Sequence, residues 1–197
     1  MLDQKIRDGW DRVVRPVGRA IGKSGLSANA VTTLGLVLQA VVGWAILDGR
    51  LVLAGLIAIV AALADGLDGA VAKAKGTVSS FGALFDSTSD RLGDALYFVP
   101  IAWLYGVAPD VARHDEPWVA AVALATLVAS FLVSYVRARA EGLGFDCKVG
   151  IAERAERVIL LIIGLVFDIL PIVLVVLGVL SVITFVQRMV HVRAQAR

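Results

Sequence analysis

Five carboxylates stand close together in an otherwise hydrophobic chain: Asp65, Asp68, Asp86, Asp90 and Asp94. Asp65 and Asp68 are three residues apart, and Asp86, Asp90 and Asp94 repeat every four, so each group shares one face of a helix. Two such faces turned toward each other would make a cage of carboxylate oxygens, the hard donors that Mg²⁺, Mn²⁺ and Ca²⁺ prefer. An ionised carboxylate in the middle of a membrane helix costs roughly 2.5–3.5 kcal/mol, so four of them cost on the order of 10 kcal/mol. A bound divalent cation is the simplest compensation. Gly66, Gly69 and Gly82 flank the carboxylates. They give room either for the two backbones to approach or for a planar ligand to lie against them.

The elements that must position these residues are hydrophobic. The chain has 197 residues, 58% of them apolar, and a mean hydropathy of +0.82. This composition implies an all-α integral membrane protein forming one domain over 1–197, with no room for a second globular unit. Six transmembrane helices are expected within 29–193, over about 30–48, 51–74, 81–106, 118–138, 152–168 and from Pro171 to about 190. They are preceded over 1–24 by an interfacial amphipathic helix with Ile6, Trp10, Val13, Val14, Val17 and Ile21 at helical spacing. Met1 to Lys23 has no apolar core of signal-peptide length and is expected to be retained. Ser27 or Asn29 can cap the first membrane helix. The lone Cys147, in a polar loop, leaves no intramolecular disulfide.

Lysine and arginine set the orientation. The N-terminus, the link between segments 2 and 3, the link between segments 4 and 5, and the C-terminus hold 6, 2, 5 and 3 of them. The opposite side has only Arg50 and Arg113. The positive-inside rule then makes both termini, and the carboxylates, cytoplasmic in a multi-pass protein of the cell membrane. A net charge of +2 without a basic-aromatic cluster gives no reason to expect a nucleic-acid partner.

The carboxylates belong to a longer pattern. Asp65, Asp68, Gly69, Ala72, Gly82, Asp86 and Asp90 match the run Asp-x-x-Asp-Gly-x-x-Ala-Arg-x8-Gly-x3-Asp-x3-Asp, with Lys73 in place of the arginine. That run resembles the signature of the CDP-alcohol phosphotransferases, integral membrane enzymes of phospholipid synthesis. The resemblance implies that Asp65, Asp68, Asp86 and Asp90 hold Mg²⁺ or Mn²⁺, and that Asp90 is also the base that takes a proton from the acceptor hydroxyl. It implies that Asn29, Thr32, Gly69, Lys73, Ser79 and Gly82 contact a CDP-linked lipid. Lys73 keeps the positive charge but not the planar two-pronged grip of arginine. A homodimer is implied as well.

A second, basic constellation lies at the same membrane level. Arg137, Arg139, Arg154, Arg157 and Arg188 all fall at cytoplasmic helix ends. Each alone is ordinary positive-inside decoration, and together they could grip a phosphorylated acceptor. Ser134-Tyr-Val-Arg137-Ala-Arg139-Ala-Glu141, Glu153-Arg154-Ala155-Glu156-Arg157 and Val182-Ile-Thr-Phe-Val-Gln-Arg188 resemble the phosphatidylinositol phosphate synthases of actinobacteria, with Ala155 where those enzymes carry proline. That resemblance assigns the acceptor phosphate to Arg137, Arg154, Arg157 and Arg188. The expected reaction is transfer of a phosphatidyl group from CDP-diacylglycerol to inositol phosphate, with glycerol 3-phosphate as the alternative acceptor. A divalent-cation channel or transporter is the remote alternative. It is disfavoured because the carboxylates gather toward one membrane face.

Overall fold

The computed structural model describes residues 25–108 and 116–196, together with Pro16 and Ala20. The interfacial helix expected over 1–24 otherwise lies outside the described residues. Six helices follow one another: α1 Ala28–Leu47, α2 Leu51–Lys75, α3 Ser80–Gly106, α4 Pro117–Gly142, α5 Arg154–Val166 and α6 Leu170–Gln195.

Local chemistry sets most of their ends. Ser27, in extended conformation, accepts a hydrogen bond from the Ala30 N–H at 3.2 Å, so it and not Asn29 caps α1. Gly76 ends α2 in the left-handed region at φ +64°, and the N–H groups of Thr77 and Gly76 return to the carbonyls of Ala72 and Lys73. Three residues later Ser79 starts α3 by accepting from the Gly82 N–H at 3.0 Å. The turn between the two acid-bearing helices is therefore short and capped on both sides. Prolines 117 and 171 stand in the first turns of α4 and α6, where their missing N–H costs nothing.

The helices close into a ring: α1 packs on α2 and α3, α3 on α4, α4 on α6, α6 on α5, and α5 on α2. The apolar core fills one end of that ring. It takes Val42 and Ile46 from α1, Leu51 and Ala58 from α2, Ile101 and Leu104 from α3, Val119 and Ala123 from α4, Leu161 and Leu165 from α5, and Leu170 and Leu174 from α6. Because successive helices run in opposite directions, all of these lie toward the end of the ring where α1, α3 and α5 stop and α2, α4 and α6 begin. All five carboxylates lie toward the other end.

Small residues close the ring on its packed side. A Cβ on Gly43 would stand 2.7 Å from the Leu96 carbonyl oxygen and 3.2 Å from Pro100 Cγ. Leu96 is the residue whose carbonyl Pro100, lacking an N–H, cannot engage. Gly43 thus lets α1 come up against the irregular turn of α3.

The outside of the ring is apolar. Leu34, Val37, Trp44, Val60, Val128, Val179 and Val186 are all more than half exposed, which suits hydrocarbon and not water. The chain is a multi-pass membrane protein. Of the six spans expected, four have the length and apolarity to cross a bilayer: α1, α2, α4 and α6. Helix α3, at 27 residues, is long enough but carries Asp86, Asp90, Arg91 and Asp94 in its first 15 residues. Helix α5 has 13 residues, about 20 Å, and is shorter than the ~30 Å of a hydrocarbon core. Cys147, expected in a polar loop, is fully buried there.

Candidate active site

Helices α2 and α3 do not pack on each other; their Cα atoms stay more than 8 Å apart. The carboxylates meet across that gap. Oxygens of Asp65, Asp86 and Asp90 lie within 4.8 Å of one another, all three side chains being partly buried. Oxygens bound to an octahedral Mg²⁺ at 2.0–2.1 Å stand about 3 Å apart when adjacent and about 4 Å when opposite. The three donors therefore fit a small hard cation after only a slight contraction.

Asp68, expected as a fourth ligand, lies beside this group, its carboxylate against that of Asp86. It is buried, and it accepts from the Thr32 hydroxyl at 2.6 Å and from the Gly69 N–H at 2.5 Å. Thr32 thus ties α1 to α2 at the site. The glycines also resolve the choice left open by the sequence. The position of a Cβ on Gly69 has no atom within 4 Å, and one on Gly82 would meet Ser79 Oγ at 3.1 Å. Neither serves close packing of α2 on α3. Gly69 leaves open space and Gly82 makes room for the cap.

Two cavities border the carboxylates. The smaller, about 180 Å³, is lined by all six residues expected at a CDP-linked lipid: Asn29, Thr32, Gly69, Lys73, Ser79 and Gly82. The larger, about 520 Å³, is lined by Arg137, Arg154, Arg157 and Arg188, and by Asp90. Asp86 lines both, so the two spaces share a wall at the carboxylate group.

The four arginines differ in how they are held. Arg188 donates from Nε to the Val149 carbonyl at 2.8 Å and from Nη1 to the Val133 carbonyl at 2.7 Å. Arg157 donates to the Ala152 carbonyl at 3.2 Å and approaches Asp94 at 3.4 Å. Both side chains are only 4% exposed. They brace the loop between α4 and α5 as well as facing the cavity. Arg137 is more open and pairs with Glu141 at 3.0 Å. Arg154 reaches into the carboxylate group: its Nη1 bonds Asp65 and lies 2.8 Å from Asp90 Oδ1. Asp94 faces Arg154 and Arg157, which accounts for a fifth carboxylate in this region.

Sequence reasoning passed over Ser87, Arg91 and Ser134, which also line the larger cavity. Ser87 and Arg91 are each one residue beyond an aspartate of the α3 face, and Arg91 Nη1 lies 3.6 Å from Asp90. Their spacing of four was the available signal. Ser134 stood in the run from Ser134 to Glu141, of which only the arginines were given a role.

Residues 26–191 match the family model described as CDP-alcohol phosphatidyltransferase. The chain belongs to that family. Among curated CDP-alcohol phosphatidyltransferases it is 36% identical over 191 residues to the archaetidylinositol phosphate synthase of Pyrococcus horikoshii, covering 96% of this chain and 95% of the relative. It is 35% identical to the phosphatidylinositol phosphate synthase of Cutibacterium acnes, covering 96% and 97%. The crystal structure of Mycobacterium tuberculosis phosphatidylinositol phosphate synthase with CDP-DAG bound superposes with a TM-score of 0.82. The identity is 31%, over 92% of this chain and 94% of that one. The same mycobacterial enzyme in complex with manganese and citrate gives a TM-score of 0.81, at 31% identity over 91% and 88%. The present chain is accordingly an enzyme of phosphatidyl transfer.

Proposed function

We propose that this enzyme transfers the phosphatidyl group of CDP-diacylglycerol to inositol phosphate, giving phosphatidylinositol phosphate and CMP, with Mg²⁺ or Mn²⁺ as cofactor. One observation carries the reading: a cavity lined by the residues expected to contact CDP and a cavity lined by arginines share Asp86 as a common wall. A donor diphosphate and an acceptor phosphate can each have a basic side chain while their reacting atoms meet at the carboxylates. The names of the two curated relatives differ in the lipid and agree on inositol phosphate. That agreement favours this acceptor over glycerol 3-phosphate.

Asp65, Asp86 and Asp90 would hold the metal, with Asp68 beside them. Bound there, a divalent ion supplies charge neutralisation between the aspartates and the diphosphate and stabilises the departing CMP. Thr32 keeps the Asp68 carboxylate turned toward the smaller cavity. Lys73, on the last turns of α2, presents an ammonium to the donor phosphates. Asp90 faces the larger cavity and accepts the proton of the attacking hydroxyl as its oxygen bonds to the lipid-bearing phosphorus and the bond to CMP breaks. Arg137 and Arg154 have the accessible guanidinium heads and hold the acceptor phosphate. Arg157 and Arg188 form the floor beneath it.

The whole chain acts as one membrane domain with six spans, both termini cytoplasmic. Topology supports the two spans that hydropathy leaves out. Helix α4 ends at the carboxylate end and α6 begins at the packed end, so α5 with its flanking residues has to run between them. Surrounding membrane lipid covers the apolar outside, and by family resemblance the enzyme is a homodimer. Product identification tests the acceptor. Purified enzyme given CDP-diacylglycerol, Mg²⁺ and equal inositol phosphate and glycerol 3-phosphate is expected to make mainly phosphatidylinositol phosphate by mass spectrometry. Mainly phosphatidylglycerol phosphate would overturn the choice of acceptor and leave the class of reaction standing.

A further inference from the structure

We propose that Arg154 couples the metal centre to the acceptor pocket: it competes with the divalent ion for the carboxylates and, once displaced, is freed for the acceptor phosphate. This rests on the reading of Asp65, Asp86 and Asp90 as metal ligands and of the larger cavity as the acceptor site.

Arg154 is held by the carboxylates of the site. Its Nη1 bonds Asp65 and stands 2.8 Å from Asp90 Oδ1, which are two of the three carboxylates of the triad. Its Nε is 3.8 Å from Asp94 Oδ1, too long for a hydrogen bond, and is buried with no partner among the described residues. Among the described residues no backbone carbonyl holds it, in contrast to Arg157 and Arg188. Every ion pair that fixes Arg154 is therefore to an aspartate of the site. A divalent cation on Asp65 and Asp90 needs the same oxygens and repels the guanidinium from close range. The two cations exclude each other.

The displaced side chain has somewhere to go. Arg154 is the first residue of α5, and its side chain is 21% exposed against 4% for Arg157 and Arg188. It already lines the 520 Å³ cavity. Rotating it toward a phosphate there breaks no helix hydrogen bond. Metal binding thus frees an arginine for the acceptor, and by linkage an acceptor that holds the arginine leaves the carboxylates free for metal. Lys or Gln at this position would lose the exchange in different ways. Lys keeps a charge but not the forked head, and Gln keeps neither.

The test reads metal binding, with no turnover. Free Mn²⁺ is followed by electron paramagnetic resonance as it is titrated into the full-length protein in detergent, with and without inositol phosphate. In the wild type, inositol phosphate should tighten Mn²⁺ binding at least about fivefold. Arg154→Gln should bind Mn²⁺ alone at least about fivefold more tightly than wild type, and inositol phosphate should then have no further effect. Arg154→Lys should fall between the two. Wild-type Mn²⁺ affinity that ignores inositol phosphate overturns the proposal, and that arm depends on no variant folding. Equal or weaker Mn²⁺ binding by Arg154→Gln, or coupling that persists in it through direct phosphate–metal contact, also overturns it. Asp65→Asn separates the two levels: if it binds Mn²⁺ as well as wild type, the metal-centre reading itself has failed.

Discussion

At the scale of single residues, the division of labour among the aspartates follows from their surroundings. Asp65, Asp86 and Asp90 converge on one point, whereas Asp68 is engaged by Thr32 and the Gly69 N–H. Replacing Asp90 by Asn keeps size and shape but removes the proposed proton acceptor. CMP release should fall by about 10²–10⁴-fold, the usual contribution of a general base. The thermal unfolding midpoint should stay within a few degrees of wild type. An Asn variant with full activity would remove Asp90 from the role of base. Thr32→Val should act differently. It deprives a buried carboxylate of a charged hydrogen bond worth about 1.5–3 kcal/mol, so KM for the CDP-linked lipid is expected to rise roughly tenfold, with KM for the acceptor unchanged. The aspartates were legible in the sequence because they recur at helical spacing. Their pairing with Arg154 was not, since Asp65 and Arg154 are 89 residues apart and nothing local links them.

At the scale of helices, the packed end of the ring holds the open end in shape. Gly43 on α1 and Pro100 on α3 are complementary. A methyl group on Gly43 meets a backbone carbonyl that cannot rotate away. Gly43→Ala should therefore destabilise the fold by about 1–3 kcal/mol, as overpacking does, measured as a lowered midpoint of thermal unfolding in detergent. An unchanged midpoint would show that α1 and α3 can separate at no cost. All six helices were bounded to within about five residues from hydropathy, prolines and caps: α4 and α6 run on past their expected ends to Gly142 and Gln195, and α5, expected over 152–168, is found over Arg154–Val166. Residues at its start are apolar enough to continue a helix, yet the chain there is drawn off by tertiary contacts: the Ala152 N–H donates to the Thr184 hydroxyl at 3.1 Å. The gap between α2 and α3 was equally hidden. Glycine beside aspartate reads the same whether it serves a helix contact or a cavity wall.

At the scale of the whole molecule, apolar packing at one end and charge at the other give the ring a direction. Sixteen of the 19 lysines and arginines fall in the segments expected on the carboxylate side, and the proposed cytoplasmic placement of that side rests on this asymmetry. A fluorescent protein fused after Arg197 should fold and emit in living cells, while alkaline phosphatase at the same place should stay inactive. The opposite pair of results would invert the topology and put the active site on the far face of the membrane. The all-α membrane class could be read from composition because a bilayer leaves a chain few options. The ring order could not, because every outward face is similarly apolar and only side-chain fit selects neighbours.

The most direct test of the account is CMP release by the purified enzyme in detergent, supplied with CDP-diacylglycerol and Mg²⁺ and with inositol phosphate, glycerol 3-phosphate, free inositol or serine in turn. The account predicts release that depends on Mg²⁺ and on inositol phosphate, with little or none from the unphosphorylated acceptors. Equal release with free inositol would contradict it, because the arginine-lined cavity would then have no part in choosing the acceptor.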